Sequence, residues 1–266
     1  MLHYLARAKQ IAKFSRTGKG LLDQAKCAVV GFARGHPFTI GSVERVCMKL
    51  RLIAPLSAFV YLDDLGQLLS FEEIFVEKVY DLDLVPFAPE VVLDCGAHVG
   101  FFSLLAARRC RGARIVAFEP APENFRVLEE QVKLNALNWE LQQCAVDVRD
   151  GDSFFESGAA SNVGHLLENG VADEAAPYVV RTVDLATCVR ERAPGSLLLK
   201  VDVEGAEKFL LPAILDALPS KTAMFFETHH GEPAREEIYS LLRTNGFAVR
   251  CFRVREPYAD SFAVRM

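Results

Sequence analysis

From residue 90 onward, short apolar runs alternate with amphipathic helical segments, and this alternation restricts the chain to very few folds. The apolar runs cover residues 91–95, 114–118, 141–146, 197–203 and 223–227. Helices are predicted over residues 101–109, 122–135, 206–217 and 233–245, with Gly246 closing the last of them. Strands apolar on both faces and separated by helices build βαβ units, which form a mainly parallel sheet covered on both sides. Residues 247–254 and 261–265 supply the closing strands. The chain has 266 residues, about half of them hydrophobic, which suffices for one large α/β domain and an extension. We place the extension at residues 1–88 and the domain at residues 89–266.

The extension has its own character. Residues 1–60 carry ten Lys and Arg against Asp23 and Glu44, a balance of +8, although the whole chain stands at −5. The net negative charge argues against nucleic acid as a partner. Residues 1–16 form a basic amphipathic helix on this pattern, with Leu2, Leu5, Ile11 and Ala12 on one side and Arg7, Lys9, Lys13 and Arg16 on the other. Two readings stand for it: packing on the main domain, or contact with an anionic membrane surface. Residues 44–53 alternate as a half-buried strand does. Residues 70–80 read as a helix with Ser70 as N-cap and Glu72 and Glu73 in its first turn; Pro86 and Pro89 close the extension.

Seven cysteines occur singly, without a CxxC pair, which suits a reducing compartment and excludes a cysteine-based zinc site. No apolar run is long enough to span a bilayer, and the expected location is the cytoplasm. One stretch, residues 153–177, is rich in Gly, Ala, Ser and Asn and interrupts the alternation; a binding loop and a disordered insertion are the two readings.

Four strand ends carry polar chemistry. Asp94, Cys95, Gly96, Ala97, His98, Val99 and Gly100 form a strand running into a glycine turn and then a helix. Glycines there let backbone approach a ligand, and the helix N-terminus offers free N–H groups. Glu119 ends the next strand, where an acid in Rossmann-like sheets accepts hydrogen bonds from ribose hydroxyls; an exposed strand-end Glu is the plain alternative. A dinucleotide turn needs G-x-G-x-x-G, and His98 and Phe101 fall on its second and third glycines. That disfavours nicotinamide and flavin cofactors and favours an adenosyl ligand without a pyrophosphate.

At the third strand end, Lys200, Asp202 and Glu204 alternate, which places all three on one face. Charges on a central strand imply either mutual pairing at a polar site or a structural ion pair. At the fourth, Glu227 and His229 share a face, and a His near neutral pKa can accept a hydroxyl proton. His229 and His230 with Glu227 or Asp202 also permit a metal reading, against His230 as a surface residue.

At these residues the sequence resembles the FkbM family of methyltransferases. The resemblance is carried by the segment from Leu93 to Gly100; by Phe118, Glu119 and Pro120 with Glu123, Asn124, Phe125 and Asn135; by Ala145 and Val146 with Arg149, Asp150 and Gly151; by Thr182 to Leu185; by Leu199 to Glu207; and by Glu227, Thr228 and His229. It covers roughly residues 70–250. It implies a class I methyltransferase Rossmann-like α/β fold of three layers, with a seven-stranded sheet whose last strand is antiparallel. It further implies S-adenosyl-L-methionine as cofactor and a hydroxyl of a glycan or secondary metabolite as acceptor.

The implied cofactor-binding set is Asp94, Gly96, Ala97, His98, Gly100, Glu119, Pro120, Asp147 and Asp202. Two departures stand out. His98 replaces the family's usual Asn, and Val148 occupies the place of an acid that the family carries one position after Asp147. The expected catalytic set is His229 as base with Asp202 as second choice, Glu204 and Glu227 as positioning groups, and Lys200; no resident metal is included. A nicotinamide-dependent oxidoreductase and a non-catalytic cofactor-binding scaffold are the competing functions. Residues 153–177 and the extension are the expected source of acceptor specificity.

Overall fold

The structure is a computed structural model that describes residues 47–51, 56–61, 64–157, 164–166, 177–192 and 194–266. The basic helix expected at residues 1–16, the start of the strand at 44–53 and much of 153–177 lie outside the described residues.

Strands β1 (Cys47–Arg51) and β2 (Ser57–Tyr61) pair antiparallel. Helix α1 (Leu65–Phe71) follows, capped by the Asp64 side chain, which accepts the Gln67 N–H at 3.1 Å. It runs into a π-helical turn, Glu72–Glu77, that ends with Lys78 in the left-handed region at φ 58°. The helix expected over 70–80 is therefore corrected. Asp64, not Ser70, satisfies the free N–H, and the widened turn breaks the α-helix after Phe71.

The main domain begins with β3 (Val91–Cys95), α2 (Phe101–Arg109), β4 (Arg114–Phe118), α3 (Pro122–Leu134) and β5 (Glu140–Gln142). Next come β6 (Ala145–Asp147), β7 (Gly151–Ser157), β8 (Gly164–Leu166), β9 (Tyr178–Asp184) and α4 (Leu185–Arg192). The chain closes with β10 (Ser196–Val201), α5 (Glu207–Ile214), β11 (Lys221–Thr228), α6 (Gly231–Thr244), β12 (Ala248–Arg255) and β13 (Tyr258–Arg265). Gly246, past the end of α6, adopts φ +83°, as its capping role requires.

The main sheet has seven strands in the order β12-β13-β11-β10-β3-β4-β5. Within it β13 runs antiparallel to both neighbours, and the other pairings are parallel. This is the α/β, three-layer Rossmann-like arrangement expected, a seven-stranded, mainly parallel sheet with its last strand antiparallel.

The run expected at 141–146 is two strands, not one. β5 pairs with β4, whereas β6 leaves the main sheet and pairs with β9. The polar Gln142 and Gln143 mark the break, where Cys144 N–H turns back to Gln142 O at 3.0 Å. The anomalous stretch at 153–177 begins inside β7, which pairs with β9 and β8 in a second sheet ordered β6-β9-β7-β8.

Two apolar clusters cover the main sheet. On β10, Leu197, Leu199 and Val201 face one and Leu198 faces the other, the alternation a pleated strand imposes. The second cluster includes Phe71, Ile74 and Leu82, so the lead-in segment shares a core with Val92, Phe101 and Phe225. Each fully buried Leu or Phe contributes about 2 kcal/mol. The apolar pattern of the central strands is broken at two positions in register, Asp94 on β3 and Lys200 on β10. Among the described residues, no helix is long and apolar enough to cross a membrane.

Candidate active site

The turn after β3 is shaped by its own neighbours. Gly96 has φ +78°, and a Cβ there would lie 1.9 Å from the Asp202 carbonyl oxygen. Gly100 has φ +86°, and a Cβ would meet Leu128 Cδ1 at 2.5 Å. These close approaches are to the end of β10 and to α3. Gly96 lines the cleft described below, and Gly100 caps α2. His98 also takes the left-handed region, φ 51°, where Asn and His are the more tolerant side chains.

That conformation aims the His98 N–H at Glu119 Oε2, 2.7 Å away. Glu119 Oε1 accepts the Ala121 N–H at 2.9 Å and faces Asn124 Nδ2 at 3.4 Å. Burial pushes the Glu119 carboxyl up to about 7, against the pull of those hydrogen bonds.

Behind the turn lies a buried ion cluster. Lys200 Nζ donates to Gly96 O at 2.6 Å and sits 3.2 Å from Asp202 Oδ2 and 3.7 Å from Asp94 Oδ1. Ser103 Oγ donates to Asp94 Oδ2 at 2.6 Å. Burial works against the Lys200 charge, but Asp202 and Asp94 outweigh it and raise its pKa, so it remains a cation. Burial likewise raises Asp94, opposed by Lys200.

Asp202 follows β10 directly, and its N–H reaches Cys95 O at 3.2 Å. Its Oδ2 accepts from Tyr80 Oη at 3.4 Å. Burial would raise its pKa; Lys200 and His229 prevail and lower it. Glu204 departs from the expected shared face. β10 ends at Val201, and Glu204 takes a left-handed turn, φ 53°, so strand pleating does not place it.

At the end of β11, His229 is held between carboxylates. Nδ1 lies 3.0 Å from Glu207 Oε1; Nε2 lies 3.3 Å from Glu204 Oε2 and 3.7 Å from Glu227 Oε2. Glu207 is fully buried and accepts from Val203 N–H at 3.2 Å and Gly205 N–H at 3.1 Å. Burial alone would lower the His229 pKa, but Glu204 and Glu207 lift it to about 11. The expected base thus lies between carboxylates, which favour the protonated imidazole. Burial, then Asp202, pushes Glu227 up to about 8, with His229 opposing. His230 stands apart, its Nε2 2.6 Å from Gly205 O.

These groups surround one cleft at the carboxyl ends of the parallel strands. Gly96, Ala97, His98, Glu119, Pro120, Lys200, Asp202, Glu204 and Glu227 all line it. Asp94 and His229 stand behind that lining. Asp147 lies outside it, its Oδ1 taken by the Val148 N–H at 2.7 Å.

The cleft also holds residues not expected from sequence: Glu73 and Tyr80 from the lead-in segment, Phe155 from β7, and Arg253 and Asp260 from β12 and β13. Tyr80 packs edge-on against Phe102 and Phe225. Arg253 pairs with Asp260 at 2.5 Å and Glu77 at 2.8 Å, fastening the lead-in segment to the sheet.

Comparison with known proteins agrees with this architecture. Residues 94–249 match the family described as the methyltransferase FkbM domain. The chain is 29% identical over 210 residues to the 31-O-demethyl-FK506 methyltransferase FkbM of Streptomyces tacrolimicus, covering 67% of this chain and 81% of that protein. It is 31% identical over 211 residues to methyltransferase sdnD of Sordaria araneosa, with the same shares. The crystal structure of methyltransferase FkbM from Methylobacillus flagellatus KT superposes with a TM-score of 0.49 at 11% identity, over 98% of this chain and 59% of that one. The chain belongs to the FkbM family of methyltransferases.

Proposed function

We propose that this methyltransferase uses S-adenosyl-L-methionine to methylate a hydroxyl group of a small-molecule or glycan acceptor. The observation that carries the reading is one cleft in which the Glu119-braced turn meets the carboxylates of Asp202 and Glu227. The name of the Streptomyces relative, a 31-O-demethyl-FK506 methyltransferase, supports oxygen as the methylated atom.

The donor set fits the cofactor. Glu119 is a buried acceptor suited to ribose hydroxyls, and its own bonds to His98 and Ala121 leave lone pairs on both oxygens. Pro120, Ala145, Val146 and Phe155 offer an apolar wall for adenine. Asp147, turned to its own backbone, is not included. Asp202, whose pKa Lys200 and His229 lower, presents negative charge toward a sulfonium and its amino-acid ammonium. When bound, S-adenosyl-L-methionine supplies an electrophilic methyl carbon; transfer breaks the sulfur–carbon bond, forms a carbon–oxygen bond and releases S-adenosylhomocysteine and the hydroxyl proton.

The chain's task is alignment and proton removal. Lys200 locks the glycine turn to the end of β10, fixing the floor of the cleft. Asp202, whose pKa Lys200 and His229 lower, is our candidate to receive the proton, with Glu227 positioning the acceptor. His229 instead offsets the charge of Glu204 and Glu207. The test is incubation with methyl-labelled S-adenosyl-L-methionine and a panel of hydroxylated acceptors, with mass spectrometry of the products. A labelled methyl ether supports the reading. Label on nitrogen or carbon alone overturns the O-methylation assignment.

A further inference from the structure

Asp202, Glu227 and His229 form a compact donor set. One ligand atom from each lies within 4.8 Å of the others, and among the described residues no other three His, Cys, Asp or Glu side chains are grouped this way. We propose that these three residues bind a divalent cation of the Mn2+ type at the carboxyl ends of β10 and β11, where the ion holds the acceptor hydroxyl. This deepens the methyl-transfer reading by giving the hydroxyl a Lewis acid.

The arrangement has features that a patch of surface acids lacks. The His229 side chain is 8% exposed, and the fully buried Glu207 stands 3.0 Å behind Nδ1. A carboxylate on the far nitrogen is the usual outer partner of a metal-binding imidazole, fixing the tautomer and turning the other nitrogen to the ion. Here that nitrogen, Nε2, stands 3.3 Å from Glu204 Oε2 and 3.7 Å from Glu227 Oε2, and a bound ion would replace the Glu204 contact. Donors around an octahedral ion at about 2.1 Å stand roughly 3.0 Å apart when adjacent and roughly 4.2 Å when opposite. The 3.7 Å pair fits that interval, and the three ligand atoms all lie within 4.8 Å of one another.

Charge points the same way. Asp94, Asp202, Glu204, Glu207, Glu227 and Asp260 gather here against Lys200, His229 and Arg253. A divalent ion offsets that excess. Two carboxylates and one imidazole suit Mn2+ better than the all-oxygen sites of Ca2+ or the thiolate sites of Zn2+. A bound ion would supply Lewis acidity to the acceptor hydroxyl, whose proton would pass to the Asp202 carboxylate as its oxygen forms the bond to the methyl carbon. The electron pair of the broken sulfur–carbon bond stays on sulfur, and no electrons pass to the metal.

The experiment titrates Mn2+ alone into the chelator-stripped full chain and follows loss of the free-ion electron paramagnetic resonance signal. S-adenosyl-L-methionine affinity is measured in parallel by calorimetry. One ion per chain is expected, with E227Q and H229A each weakening it at least about tenfold and the surface variant E236Q leaving it unchanged. Absence of saturable binding at millimolar Mn2+ overturns the site, as does binding that E227Q leaves intact. If H229A does not fold, E227Q decides alone, its fold verified by an unchanged circular dichroism spectrum and melting temperature. Lost ion binding with intact cofactor affinity overturns the metal site only; absent cofactor affinity in the wild-type chain overturns the methyl-transfer reading and leaves the ion titration readable.

Discussion

Lys200 Nζ donates to the Gly96 carbonyl oxygen at 2.6 Å, so a buried cation on one central strand holds the turn that leaves its neighbour. The same ammonium sits beside Asp94 and Asp202, which joins the core of the sheet to the chemistry at its edge. Removing the cation while keeping the acid strands a buried charge. Lys200→Met is expected to cost about 3–5 kcal/mol. Adding Asp94→Asn is expected to restore part of that loss, so the double variant costs less than the sum of the singles. Denaturant melts of the four proteins check this; strict additivity would contradict the pairing.

Gly96 is expected to tolerate no side chain, because its Cβ would overlap the Asp202 carbonyl and its φ is +78°. Gly96→Ala should destabilise the chain by about 3 kcal/mol or more and lower the melting temperature by roughly 6–12 °C. Gly112, also at positive φ but with no atom within 4 Å of its Cβ position, should lose only about 1–2 kcal/mol on the same change. Equal losses at the two positions would show that backbone strain, not the contact with β10, sets the requirement.

Glu119 gives cofactor binding a pH dependence of definite sign. Its carboxyl is raised to about 7 by burial, with Ala121 and His98 N–H groups and Lys200 working the other way. Ribose hydroxyls donate best to the ionised form, so affinity should rise as pH increases from 6 to 8. For folding the sign is opposite. The native state holds a proton that the unfolded chain releases near 4.5, so this group's contribution to stability falls as pH rises from there through about 7. Calorimetric titration across that range checks the binding slope, and Glu119→Gln should flatten it. A slope unchanged in Glu119→Gln would assign it to another group.

Tyr80 brings the lead-in segment to the reacting end of the cleft through its 3.4 Å contact with Asp202. Tyr80→Phe keeps the ring packing on Phe102 and Phe225 and removes only the hydroxyl. We expect kcat/KM to fall about fivefold, the equivalent of about 1 kcal/mol, with cofactor affinity unchanged. A loss of cofactor affinity without a change in turnover would place Tyr80 at the wrong end of the site.

The parallel strands and the residues at their ends were legible because apolar runs and polar strand termini are local signals. Asp94, Glu119, Asp202 and Glu227 announced themselves as charges at the ends of buried strands. What escaped notice depends on long-range contact. Nothing near Tyr80 in sequence marks it as a neighbour of Asp202, 122 positions away, and the π-helical turn at Glu72–Glu77 leaves no periodic trace. Glu204 was misplaced because strand alternation was carried past Val201 into a left-handed turn. The carboxylate surroundings of His229 were not legible, because the buried Glu207 meets it only on folding.

The account rests on the Glu119-braced turn as an adenosyl-binding cradle, and calorimetry of the folded chain with S-adenosylhomocysteine probes that claim with least interference from the acceptor. One molecule per chain is predicted to bind, with Glu119→Ala weakening it by at least about tenfold through loss of the charged acceptor. A stable chain that takes up no S-adenosylhomocysteine, or a Glu119→Ala variant that binds it undiminished, would contradict the account.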